Sequence, residues 1–203
     1  MEIYIVRHGE TLWNKAKRFQ GSADIELSEA GRALARESGK NLIHTHFDRV
    51  FSSPLCRAKE TAELFCGGRD IEIEVDERLR ELNFGDCEGQ LYDELVGNDA
   101  LTFKYFFSKP ELYIPDAHGE TIEHMMTRAA DFMEHVIEPL ETSCERVMIV
   151  AHGALNKGLM CHVKKISKKD LWSGGLQKNC NVIILTLKDG NYTIVDETRL
   201  FYT

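Results

Sequence analysis

The chain has 203 residues, 43% hydrophobic and 29% charged, the balance of a globular protein with a substantial core, and its length favours one domain over two. A formal net charge of −8 argues against a general nucleic-acid or anionic-membrane binder, which would carry a basic face; an anionic small molecule stays open, because a pocket can be positive inside an acidic protein. Cys56, Cys66, Cys87, Cys144, Cys161 and Cys180 form no C-x-x-C pair and none has an arginine six positions later, so they read as reduced thiols of a cytoplasmic protein and exclude the Cys-x5-Arg phosphatase loop.

In chain order, the first element is a strand, EIYIV (2–6), reached from Met1 without a signal-peptide pattern. It exits into Arg7, His8 and Gly9 of IVRHGETLWN, far more equipment than an ordinary turn needs. Ser28, a good N-cap, opens a helix predicted to run to about His44. The strand RVFSS (49–53) leads into SSPLCRAKETA, where Pro54 suits the first turn of a helix ending near Cys66, before Gly67-Gly68. IEIEV (71–75) is a third strand, followed by DERLRELNFGDCEG with Glu81. Segment 90–120 holds Phe103, Tyr105, Phe106, Phe107 and Tyr113; most must be core, and one or two are expected to face a leaving group.

The longest helix is predicted over 121–141, with Ile122, Met125, Ala129, Met133, Val136 and Leu140 forming its apolar stripe. RVMIVA (146–151) delivers His152 and Gly153, with another helix behind them. NVIILTL (181–187) and YTIVDE (192–197), joined by KDGN, read as an antiparallel hairpin at a sheet edge, free or paired in a homodimer. No apolar run is long enough to span a bilayer. Strands alternating with helices imply an α/β fold with a largely parallel sheet covered on both faces, and no linker divides residues 1–203.

Ligands of open α/β sheets collect beyond the carboxyl ends of the strands. Those ends deliver Arg7 and His8, Arg57, Glu81, and His152, a converging set of cations, imidazoles and one carboxylate. RHGETLWN, SSPLCRAKETA, RELNFGDCEG and AHG together resemble the four blocks of the histidine phosphatase superfamily, also called phosphoglycerate-mutase-like, over Ile5 to Gly153. The resemblance implies a three-layer α/β/α sandwich with a mixed sheet. It also implies metal-independent hydrolysis of a small phosphorylated metabolite, a phosphomonoester, with no cofactor. His8 would be the nucleophile and Glu81 the proton donor and acceptor. Arg7, Arg57 and His152 would bind the phosphoryl group, with Asn14, Gln20, Gly21 and Gly153 lining the site.

Guanidinium forks suit phosphate geometry, and nearby positive charge keeps an attacking imidazole neutral. LNFGDCEG resembles the FGxxEG form of the phosphatase branch, α-ribazole phosphatases included, although Cys87 stands where tryptophan is common. A phosphoglycerate mutase using the same phosphohistidine, or an inactive phospho-ligand binder, are the alternatives. His118 and Glu120 precede the long helix, and Glu120 either shapes the pocket or favours the helix N-terminus. The other histidines read as surface residues. No acidic cluster resembles a magnesium site, and no nucleotide-binding P-loop pattern is present.

Overall fold

The computed structural model describes residues 1–203. β1 (Glu2–Arg7) leads to α1 (Leu12–Lys15), a single turn closed by Thr11: its hydroxyl accepts from the Asn14 N–H while the Asn14 side chain accepts from the Thr11 N–H. α2 (Glu29–Asn41) begins where Ser28 accepts from the Gly31 N–H. β2 (Arg49–Ser52), α3 (Cys56–Cys66), β3 (Ile73–Val75), α4 (Tyr92–Gly97) and α5 (Ile122–Phe132) follow. β4 (Arg146–Ala151), α6 (Gly153–Lys164), β5 (Val182–Lys188) and β6 (Asn191–Arg199) complete the chain.

The strands form one mixed sheet in the order β3-β2-β4-β1-β5-β6, parallel from β3 to β1 and antiparallel across β1–β5 and β5–β6. Period-two alternation separates two helical layers. Ile3 and Ile5 join Met125, Ala129, Leu155 and Leu159 of α5 and α6 on one face. Tyr4 and Val6 join Ala35, Ala58, Ala62 and Phe65 of α2 and α3 on the other. Each fully buried side chain of the size of Ile5 or Phe65 contributes about 1.5–3 kcal/mol of transfer free energy. The architecture is therefore the three-layer α/β sandwich with a mixed, largely parallel sheet.

Several boundaries differ from the sequence reading. α2 ends at Asn41, short of His44. α3 starts at Cys56 behind an extended Leu55, so Pro54 stands ahead of the helix rather than in its first turn. β3 is confined to 73–75. The long helix is α-helical only to Phe132; residues 133–137 widen into a π turn and 138–140 tighten into a 3-10 turn. Pro139 has no N–H to return to the His135 carbonyl, and the wider turn brings Ile137 into the core while Val136 lies at its margin. The edge hairpin turns at Asp189 and Gly190, both at positive φ (52° and 71°), as a tight two-residue turn requires.

Neighbouring strands β1 and β4 leave the sheet in opposite directions. β1 is followed by α2 on one face, β4 by α6 on the other, which opens a crevice between their carboxyl ends.

Candidate active site

In the parallel β1–β4 ladder Arg7 pairs with Ala151, so the next residue on each strand, His8 and His152, emerges side by side. The His8 N–H donates to the Ala151 carbonyl at 3.0 Å, and the two rings are 5.1 Å apart, centre to centre. Both histidines are buried. Burial first, then the charges of Arg57 and Arg7, push the His8 pKa well below the ordinary imidazole value, so the ring is neutral. Its Nδ1 lies 2.7 Å from the Gly9 carbonyl, an oxygen that can only accept. Nδ1 therefore carries the hydrogen, and the lone pair is on Nε2.

Arg7 Nη1 donates to the Gln177 carbonyl. Arg57, on the first turn of α3 and fully buried, donates through Nη1 to Ala23 O (2.6 Å) and through Nη2 to Gly21 O (2.7 Å). In both arginines Nε is buried without a partner, and so is Nδ1 of His152. Two guanidinium N–H groups and an imidazole nitrogen are thus buried without a protein partner close to the His8 ring, an arrangement whose chemistry suits an anion.

Glu81 faces them. Its carboxylate accepts from the N–H groups of Leu82 (2.9 Å), Leu155 (3.0 Å) and Ala154 (3.1 Å), the last two at the start of α6. A Cβ on Gly153 would stand 3.0 Å from Leu176 Cδ1 and at ordinary contact distance, 3.7 Å, from Arg7 Nε and Glu81 Oε2, so Gly153 lies between the arginine and the carboxylate. A cavity of about 330 Å³ opens over the strand ends. Arg7, His8, Asn14, Gln20, Gly21, Arg57, Glu81 and Gly153 all line it, and the fully buried His152 ring packs beside the ring of His8. Asn14 Oδ1 is engaged by Thr11 and Asn179, which leaves Nδ2 available. Gln20 is buried and its Oε1 accepts from the Thr11 hydroxyl.

The structure adds residues that sequence reasoning passed over. The loop 171–180, between α6 and β5, brings Trp172, Leu176 and Asn179 to the cavity, and Asn179 Nδ2 donates to His8 O. Glu88, the acid of FGDCEG, accepts from the N–H groups of Ser22, Ala23 and Phe84 and so holds the loop that Arg57 grips. Gly21 is required there: its φ is +53°, and a Cβ would overlap the Glu88 carboxylate. Glu120 does not line the cavity. It pairs with Arg128, which donates to the carbonyls of Arg78, Arg80 and Glu81 and fixes the backbone that carries Glu81. His118 is a surface residue beside Asp86, and Cys87 is buried in the core beside Asp116, its thiol pushed up to about 11 first by burial. Nowhere do three His, Cys, Asp or Glu side chains converge as a metal site would require.

The model of the histidine phosphatase superfamily (branch 1) matches residues 3–198. The chain belongs to that superfamily. A probable 2-carboxy-D-arabinitol-1-phosphatase of Arabidopsis thaliana is 33% identical over 90% of this chain but only 37% of its own length. A 2,3-bisphosphoglycerate-dependent phosphoglycerate mutase of Cytophaga hutchinsonii is 33% identical over 83% of this chain and 80% of its own. The solved structure of Bacillus stearothermophilus YhfR is 36% identical, with a TM-score of 0.86 over 97% of this histidine phosphatase and 96% of YhfR. A phosphoserine phosphatase of Entamoeba histolytica, solved in complex with 3-phosphoglyceric acid, is 27% identical, with a TM-score of 0.84 over 98% and 96% of the two chains. No helix of the chain is long and apolar enough to cross a membrane.

Proposed function

We propose that this histidine phosphatase hydrolyses small phosphomonoesters without a metal, through a phosphohistidine on His8. One observation carries the reading: an uncharged Nε2 lone pair stands among three buried, unpartnered donors, Arg7 Nε, Arg57 Nε and His152 Nδ1. In the first step Nε2 attacks phosphorus in line, the P–N bond forms as the P–O bond to the leaving group breaks, and Glu81 in its protonated state delivers a proton to the departing oxygen. In the second, water attacks the phosphohistidine while Glu81 takes back a proton, returning Nε2 to its lone-pair form. The three donors, Asn14 Nδ2 and the Gly153 N–H meet the charge on the equatorial oxygens. Gln20 and Gly21 complete the wall.

We read residues 1–203 as one domain in which segment 90–120 covers the leaving group. Tyr92, Phe106 and Phe107 line the cavity, whereas Phe103 and Tyr113 are buried in the core, so the covering surface favours a ring-bearing or apolar leaving group. Isomerisation of a phosphoglycerate is the second reading, supported by the relative named as a mutase. Rapid quenching with phosphorus-labelled phenyl phosphate tests the chemistry. Acid-labile label is expected on the wild type and not on His8→Ala; turnover by His8→Ala at the wild-type rate overturns the scheme. Incubation with 3-phosphoglycerate then separates the readings: released phosphate marks a phosphatase, and 2-phosphoglycerate marks a mutase.

A further inference from the structure

The cavity of about 330 Å³ extends beyond the residues that meet the phosphoryl group. Beyond the phosphoryl end its walls are aromatic: the Phe107 ring packs against Trp172 at 4.6 Å, tilted by 54°, and lies 5.8 Å from Tyr92. The wall then turns basic again, at Lys17 and Arg18. Lys104, Lys164 and Lys168 each reach a carboxylate, but neither Lys17 nor Arg18 does. Glu81 is the one acidic side chain lining the cavity, and it belongs to the phosphoryl end. In a chain of net charge −8 that is a marked local inversion.

The backbone there is also fixed. Lys17 sits at φ +55°, a left-handed conformation that costs a residue with a Cβ, held by its N–H on Asn14 O and by the Tyr92 N–H on its carbonyl, each at 3.0 Å. Arg18 is anchored through Nη1 to Gly89 O at 2.6 Å, leaving its other donors unengaged.

We propose that Lys17 and Arg18 form a second anion subsite, which takes a negatively charged group carried by the leaving group across its ring from the phosphoryl end. The preferred substrate is then a phosphomonoester whose flat or apolar body bears a carboxylate or a further phosphate. The inference rests on the hydrolase reading.

Its test compares phenyl phosphate with 4-carboxyphenyl phosphate on the wild type and on Lys17→Ala/Arg18→Ala. The ratio of KM values, phenyl over carboxyphenyl, is expected to be about three- to tenfold for the wild type, the range a pair of partly exposed charges supplies. It should fall to about one in the double variant, and toward one as salt rises. Should the double variant fail to fold, Lys17→Gln alone is expected to lower the ratio. A wild-type ratio near one, or an unaltered ratio in the folded variant, overturns the subsite while leaving the hydrolase reading intact. Failure of the wild type to cleave either ester overturns both.

Discussion

Ser53 Oγ lies 2.7 Å from His152 Nε2, and both residues are fully buried. The hydroxyl oxygen accepts from the Leu55 N–H at 3.3 Å and has its own hydrogen to give to the imidazole. In the proposed scheme it does so: Nε2 is the acceptor and Nδ1 keeps the hydrogen that meets the phosphoryl group. Ser53→Ala is expected to lower kcat/KM about tenfold, equivalent to roughly 1.4 kcal/mol, as the tautomer lock is lost. Nitrogen NMR of the His152 ring would show mixed tautomers, and Ser53→Thr should restore both signals. An unchanged tautomer in the alanine variant would contradict the assignment.

Glu81 rests on the N–H groups of Ala154 and Leu155, apart from the donors that meet phosphate. Removing it should therefore separate turnover from binding. Glu81→Ala is expected to reduce kcat by about 10²- to 10⁴-fold. The inhibition constant for inorganic phosphate should stay the same or improve, since two helix N–H groups are freed. Equal losses in kcat and in phosphate affinity would argue against a proton-transfer role.

The two lowered histidine pKa values make stability depend on pH with a definite sign. Unfolded imidazoles bind a proton near pH 6.5, while burial first, and then neighbouring positive groups, keep the folded rings neutral. Below about pH 6.5 the unfolded state holds more protons, so stability falls as pH falls toward the lowered folded values. Two such rings give a slope of up to about 2.7 kcal/mol per pH unit. Urea titrations between pH 5 and 7 should show this slope, roughly halved in His152→Gln. A flat profile across that window would show that the rings are protonated in the fold.

Glu88→Ala leaves the N–H groups of Ser22, Ala23 and Phe84 without their acceptor, at about 1–3 kcal/mol for a buried orphan. A lower melting temperature is expected, together with a raised KM, because the carbonyls of Gly21 and Ala23 that hold Arg57 shift with their loop. A melting change without a KM change would confine Glu88 to stability.

In the proposed scheme guanidinium and imidazole donors meet the phosphoryl charge, so excess EDTA is expected to leave phenyl phosphate hydrolysis within about twofold of its uninhibited rate, against the ~10³-fold or larger losses that removing a phosphate-clamping charge brings. Loss of activity on chelation, restored by a divalent cation, would refute the metal-independent scheme.

The convergence of Arg7, His8, Arg57, Glu81 and His152 was legible because they are unusual residues for strand exits, and the order of the strands brings those exits together. The β5–β6 hairpin was legible for a similar reason: Asp189 and Gly190 are turn residues with a mechanism. The supporting contacts were not. Arg7 is held by a backbone carbonyl 170 positions away, and every residue has a carbonyl, so nothing in LWSGGLQKNC distinguishes Gln177 or Asn179 beforehand. Glu88 stood within a motif, yet its three N–H partners are fixed only once the chain between Gln20 and Asp24 closes over it. The break after Phe132 has a sequence signal that the apolar spacing does not carry: Pro139 forbids an α-helical bond to His135. Ser53 lies within SSPLCRAKETA, but its partner is set by the register of β2 against β4.

The pairing of Arg7 with Ala151 has one more consequence. The two imidazoles inherit their spacing from adjacent main chains locked in the middle of the sheet, whereas the rest of the cavity wall comes from loops, short turns and the short helix α4 around 17–19, 92–107 and 172–179. Reactivity and selectivity are thus mechanically separate, and grafting those three stretches between relatives should exchange preferences while leaving the bond-breaking apparatus undisturbed.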